Sequence, residues 1–346
     1  MKAVKGCLGA LVAGLLVTAA SAQTSSNCTP IPDSKIGYQL FNLSRVLRPA
    51  PPPGATPATP PAPVPAAQAN AAPAGAPGAA APGRGAGGRG AGGVRPPPVP
   101  TPPDLLDTDL AAMHKIGFKN MERFNDTLGE PLDQYKGIAV QDGQNIIGGH
   151  GSLDMAQWDK IMSDAKALGQ KFVGSAGFGQ PGLDTLENTL QTAANLNTLG
   201  KAALDKGLRL YVHNHQGEIN TKFSYDINKN GKPEMVSAWE IVAANTDPRY
   251  LSFEVDVHWA RIGFGVDKFD DVLAFLKKYQ NRIVMLHVKD TTADGKITDL
   301  GMGTTDWPAV FKAAGPNIAY YIWEYDGVPD VFKSGDIAYR YLRCQK

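Results

Sequence analysis

The sequence is short of net charge. Its 34 lysines and arginines against 33 acidic residues leave the 346-residue chain at +1. That balance argues against a nucleic-acid or membrane-surface binder. Cysteine is scarce too, with three in the whole chain. No second long apolar run follows the N-terminal one, so the mature protein is expected to be soluble, without membrane insertion. No glycine fingerprint for a dinucleotide follows any predicted strand, which argues against a Rossmann domain. Residues 49–103 lack acidic residues, aromatics, leucine and isoleucine altogether.

What is present begins with MKAVKGCLGALVAGLLVTAASAQ: two lysines, a short apolar core, then the small-x-small triplet Ala20-Ser21-Ala22. This reads as a signal peptide over 1–22, cleaved after Ala22, and predicts a periplasmic or secreted protein. Cys7 has no lipobox-like surroundings and leaves with the signal. Cys28 and Cys344 remain near opposite ends of the mature chain, and an exported context suggests one disulfide between them.

The segment 49–103 holds 18 of the chain's 27 prolines and is otherwise dominated by Ala and Gly. It cannot bury enough apolar surface to offset its ordering entropy and is expected to be disordered. KIGYQLFNL (35–43), just before it, has strand character. Removing signal and spacer leaves 269 residues, close to the roughly 250 of a (β/α)₈ barrel. The expected organisation is therefore one domain: 23–48 carries the first barrel strand, 49–103 is an insertion, and 104–346 is the remainder of the barrel. A surface loop tolerates such an insertion, since each doubling of its length costs only about 0.6 kcal/mol in closure entropy.

Downstream, strand-like and helix-like segments alternate. Strands are expected near 117–124, 145–150, 171–178, 207–215, 251–259, 282–290 and 318–327, with helices near 104–115, 154–168, 183–206, 235–245, 267–279, 306–314 and 336–343. With the first segment this makes eight strands, and eight such units favour an α/β class (β/α)₈ TIM barrel over an open sheet.

Five of the six histidines, His150, His213, His215, His258 and His287, fall at predicted strand ends, and Glu218, Asp256 and Glu324 fall at matching positions. In a parallel barrel those ends converge on one rim, where active sites lie. A lone strand-end histidine is more often structural than a ligand. Five with three carboxylates are better explained by one divalent ion, and mixed Asp/Glu/His ligation suits Mn, Zn, Co or Mg. A metal is thus expected opposite Asp256, with His258 close by. Glu254, two residues earlier on the same strand, is expected in the barrel interior, salt-bridged.

YVHNHQGE (211–218), FEVDVHWA (253–260), LHVKD (286–290), GMGTTDW (301–307) and YIWEYDG (321–327) resemble, in order, the sugar phosphate isomerase/epimerase family of xylose isomerase-like TIM barrels. IGYQLFNL and GGHGSL resemble its first strand and third-strand end. The resemblance implies one divalent ion held by Glu, Asp, His and Glu. Asp256, His287 and Glu324 match three of these. Where epimerases show Glu-Asn-His after the fifth strand, this chain has His213-Asn214-His215. Glu218 is then the preferred fourth ligand and His213 its rival. The exchange also removes one of two opposed carboxylates that epimerases use to move a proton between ring faces.

The implied reaction is metal-assisted removal of the proton next to a carbonyl, through an enediolate of a free sugar or keto-sugar. Glu324 and His213 are the candidate bases. His150, His215, His258, Trp259 and Lys289 are candidate substrate contacts; the alternative for Lys289 is a rim salt bridge with Asp290. Export argues against a sugar phosphate as substrate. Besides an isomerase or epimerase, a lyase or hydratase on 3-keto-glycosides and a non-catalytic sugar-binding barrel remain open, as does homo-oligomerisation. A repair nuclease of the endonuclease IV kind is disfavoured, because the loop DTTADGKITDLGMG carries no histidine.

Overall fold

The computed structural model describes residues 29–47, 103–124 and 127–345. The expected signal peptide, Cys28 and nearly all of the Pro/Ala/Gly-rich segment lie outside those residues. Eight parallel strands close a barrel: β1 (Ile36–Gln39), β2 (Asn120–Phe124), β3 (Asn145–His150), β4 (Phe172–Ser175), β5 (Arg209–His213), β6 (Leu251–Asp256), β7 (Ile283–Val288) and β8 (Tyr320–Trp323). Closure comes from β1, which pairs with β8 (Tyr38 beside Trp323) and with β2 (Tyr38 beside Met121). The first strand therefore belongs to the barrel although about eighty residues of chain separate it from β2. Among the described residues no helix is long and apolar enough to cross a membrane.

Helices cover the outside. The outer core between sheet and helices includes Trp239, Trp307 and Trp323, all nearly inaccessible. Trp323 lies against Phe118, with ring centroids 6.0 Å apart and 23° between planes. A second apolar cluster, with Phe172, Tyr211, Met285 and Ile322 among its members, fills the lower barrel interior. Side chains alternate across a strand, so the residues two places on from Tyr211, Met285 and Ile322 stand above this plug. They are His213, His287 and Glu324.

The N-terminal segment is tied to the last helix (Val331–Leu342). Ile31 N–H donates to the Leu342 carbonyl at 2.9 Å, and Arg343 pairs with Asp33 at 2.6 Å. Cys344 is disulfide-bonded.

Two local differences from the sequence-based expectations matter. The run 251–259 is not one strand: β6 ends at Asp256, and a helix covers Val257–Phe264. Asp256 itself stops the strand, since its Oδ1 accepts from Trp259 N–H at 2.9 Å and caps that helix. His258 and Trp259 are therefore helical, out of register with Glu254 and Asp256. Likewise 222–237, expected to be mostly loop, contains an antiparallel hairpin (Lys222–Tyr225 with Glu234–Ser237).

Deleting most of 49–103 and closing the gap with a short Gly/Ser loop is expected to leave folding intact. Deleting 23–103 should not, because β8 and β2 would both lose their partner β1. Equal thermal stability of the two deletion variants would contradict the placement of β1 as an integral barrel strand.

Candidate active site

The C-terminal ends of the strands carry a buried cluster of histidines and carboxylates in two overlapping groups. The outer group is His213, Asp256, His287 and Glu324, each offering one ligand atom, all within 4.8 Å of one another. The inner group is His150, His213, Glu254 and His287, under the same criterion. Register explains the closeness: His213 pairs laterally with Glu254 on β6, and Asp256 with His287 on β7. Asn214 staples β5 to β6 by accepting from Asp256 N–H at 3.1 Å and donating to its carbonyl at 3.4 Å.

In the outer group, His287 Nδ1 lies 2.8 Å from Glu324 Oε2 and 3.9 Å from Asp256 Oδ2, while His213 Nε2 is also 3.9 Å from Asp256 Oδ2. Lys289, wholly buried, places Nζ 2.9 Å from Asp256, 2.7 Å from Glu324 and 3.0 Å from Asp326. The contact with Asp326 is a hydrogen bond. The alternative of a Lys289–Asp290 pair does not hold. The two side chains point to opposite sides of the strand, and Asp290 instead accepts backbone N–H groups of Thr291, Gly301 and Gly303.

Burial sets the electrostatics. Desolvation pushes the Asp256 carboxyl up to about 6, with Lys289 and His287 opposing. Burial also works against ionised Glu324, but Lys289 and His287 outweigh it and hold that carboxyl well below the usual range. Desolvation and the neighbouring His287 keep the His213 imidazole neutral, its pKa well below the ordinary value.

Glu218 does not enter either group. Its Oε2 accepts from His215 N–H at 2.8 Å at the start of the short helix Gln216–Asn220. Burial raises its carboxyl to about 7. Of the two rivals for a fourth ligand, the structure brings His213 into the outer group and leaves Glu218 outside it. Proximity in sequence put Glu218 near the site, but the capping hydrogen bond turns its carboxylate back toward its own helix.

The other singled-out residues surround the cluster. His150 ends β3 and belongs to the inner group. His215 precedes the short helix, its imidazole lowered to about 4 by burial and by Lys289. His258 Nδ1 lies 2.9 Å from Thr291 Oγ1, and burial with Lys289 and Arg261 lowers its imidazole to about 3. The Lys289 ammonium sits 5.3 Å from the centre of the Trp259 ring. His150, His213, His215, Trp259, Lys289 and Glu324 all line one cavity of about 1700 Å³. A side cavity of about 540 Å³, bordered by His258, Trp259 and Tyr325, adjoins it.

Glu122 was not singled out from the sequence. It is fully buried on β2, accepts from Gln39 Nε2 at 2.7 Å and from the Tyr211 hydroxyl, and lies 2.9 Å from His287 Nε2. Gly174 makes room for that tyrosine, since a Cβ there would fall 2.4 Å from its ring. The available signal was a lone carboxylate inside the strand-like NMERF, the same signal that placed Glu254 in the interior.

The donor set fits a divalent cation. Mixed imidazole and carboxylate donors suit Mn, Zn, Co or Mg. Asp256 Oδ2 makes no hydrogen bond and faces Lys289 Nζ at 2.9 Å, but that one ammonium is shared with Glu324 and Asp326. Three buried or half-buried carboxylates thus converge on a single positive charge, and a further cation is favoured beside them.

Fold and rim site together define a parallel barrel of the kind that carries polar chemistry at its C-terminal face. Residues 110–325 match the model of the xylose isomerase-like TIM barrel family, and the chain belongs to that family. A sugar phosphate isomerase/epimerase from Parabacteroides distasonis superposes with a TM-score of 0.56 at 21% identity, covering 68% of this chain and 90% of that one. A xylose isomerase-like TIM barrel protein from Mycobacterium smegmatis, in complex with magnesium, superposes with a TM-score of 0.50 at 14% identity, covering 70% and 88%. At these identities the likeness establishes the fold. No curated protein matches the chain.

Proposed function

We propose that this protein is an exported, metal-dependent sugar isomerase or epimerase acting on an unphosphorylated sugar or keto-sugar. The observation that carries this reading is the outer group, His213, Asp256, His287 and Glu324, beside a cavity large enough for a sugar. These four residues would hold the divalent ion. When bound, it supplies positive charge that stabilises the negative charge developing on substrate oxygens as a proton leaves the neighbouring carbon.

The chain's own residues do the rest. Glu324 reaches the cavity and is held ionised, as a base must be. Lys289, anchored by Asp326, can donate to a substrate oxygen from beside Glu324, and Trp259 offers an aromatic face to a sugar ring. Unphosphorylated substrates are favoured by charge. Lys289 is the lone Lys or Arg among the described residues lining the main cavity, against Asp154, Asp184, Glu324 and Asp326. It is already committed to carboxylates, so no free cation remains there to receive a phosphate.

One observation favours a lyase or hydratase on 3-keto-glycosides as the second reading. His213 stands where epimerases carry a glutamate, and Glu218, turned to its helix, does not replace it. Among the described residues of the metal-binding group, Glu324 and Asp256 are the remaining carboxylates. Elimination of a leaving group needs only one such base.

The test is to incubate metal-loaded protein with free and 3-keto sugars in D₂O and follow them by NMR. Deuterium at the carbon next to the carbonyl is expected, and the product distinguishes isomerisation, epimerisation and elimination. Tight sugar binding without exchange or turnover across the panel would point to a non-catalytic barrel.

The fourth position can be tested separately. His213→Ala is expected to lower metal affinity sharply, whereas Glu218→Ala should leave it near wild type and instead loosen the short helix. The reverse pattern in a metal titration would restore Glu218 as the ligand.

A further inference from the structure

Glu254 and His150, on the inner side of the cluster, take no part in the chemistry above, yet their surroundings are fully built. A single oxygen, Glu254 Oε2, lies 2.8 Å from His150 Nε2, 3.1 Å from His213 Nδ1 and 3.1 Å from His287 Nε2. Glu254 is completely buried. Gln39 helps to assign the protons. Its Oε1 accepts from Phe41 N–H at 3.2 Å, so the amide nitrogen faces inward, 2.7 Å from Glu122 Oε2 and 3.4 Å from His150 Nδ1. An amide nitrogen only donates. His150 Nδ1 therefore accepts, and its ring proton sits on Nε2, aimed at Glu254.

The two shared histidines follow the same plan. His213 turns Nδ1 to Glu254 and Nε2 toward Asp256. His287 turns Nε2 to Glu122 and Glu254, and Nδ1 toward Glu324 and Asp256.

We propose that Glu254 is a positioning residue. It draws the ring protons of His150, His213 and, together with Glu122, His287 to the inner side of the barrel. His213 Nε2 is then the bare nitrogen presented to the outer group, and His287 Nδ1, 2.8 Å from Glu324 Oε2, is the position from which a proton leaves when the ion binds. Supporting carboxylates of this kind fix imidazole orientation and tautomer and raise ligand basicity. A consequence is that the cluster takes one ion. Filling the inner group as well would require both shared imidazoles to give up their second proton and bridge two cations. The inference rests on the outer group being the metal site, but the ring arrangement itself can be read without metal.

The experiment is long-range ¹⁵N–¹H NMR on histidine-labelled full-length protein, metal-free and zinc-loaded, with zinc counted per chain. The expected result is His213 protonated on Nδ1 in both states, zinc-induced shifts at His213 Nε2 and His287 Nδ1, and one zinc per chain. Glu254→Gln should mix the His213 tautomers and weaken zinc binding roughly 10–100-fold, and Glu254→Asp should recover part of both. His213 protonated on Nε2 in the wild type, or two zinc ions per chain, would overturn the proposal. So would a Glu254→Gln variant with wild-type tautomers and affinity. Should the wild type bind no zinc yet keep His213 protonated on Nδ1, the proton arrangement would stand and the metal reading would fall.

Discussion

Asp256→Asn is expected to lose metal by more than the roughly 10–100-fold typical of a residue that merely supports a ligand. Asp256 is one of four donors, it is fully buried, and the replacement keeps its shape. The effect on stability should depend on metal. At a hundredfold excess over Kd, a bound ion stabilises the native state by about 2.7 kcal/mol, or roughly 5–10 °C in Tm for a domain of this size. The variant should forfeit most of that shift. Without metal the difference from wild type should be smaller. The substitution relieves repulsion from the buried Glu122, Glu254 and Glu324 but also removes the partner 2.9 Å from the Lys289 ammonium, two effects of opposite sign. Melting curves with and without added ion measure both halves. A variant destabilised equally in both conditions would mean that Asp256 acts through its ion pair with Lys289 rather than through a metal ion, since Asn caps the helix as well as Asp does.

Glu324→Gln should separate binding from turnover. The amide keeps an oxygen for the ion but cannot take up a proton, and losing a positioned base costs typically 10²–10⁴-fold in rate. Metal content should fall less than in Asp256→Asn, and kcat should fall much more than substrate binding. The direct check is loss of solvent deuterium exchange while substrate still binds. Undiminished exchange would move the base away from Glu324.

Much of the architecture was legible in the chain. Alternating strand and helix patterns over 104–346 and the strand character of 35–43 were enough to expect a barrel interrupted after its first strand. The reason is physical: an inward and an outward face on each strand leave a period that composition does not hide. The rim histidines were legible as a set because they recur at strand ends.

What escaped was direction. Asp256 is both a strand-end residue and a helix cap, so the alternation through Glu254 and Asp256 could not extend to His258. That second role is written in the sequence only as an acid followed by a helix-compatible WARIGF. Glu218 was near the site in sequence, but its capping hydrogen bond is a matter of geometry that spacing does not carry. Glu122 acts across the barrel on His287, 165 positions away, and no local pattern could pair the two. Lys289 and Asp290 are neighbours in sequence yet serve opposite faces of β7's end.

The folded protein is expected to hold one divalent ion. Full-length protein loaded with manganese or zinc, freed of excess by gel filtration and measured by elemental analysis, should carry one ion per chain, and Asp256→Asn treated in parallel should carry little. A wild type without metal, or an Asp256→Asn variant with the wild-type amount, would contradict the account.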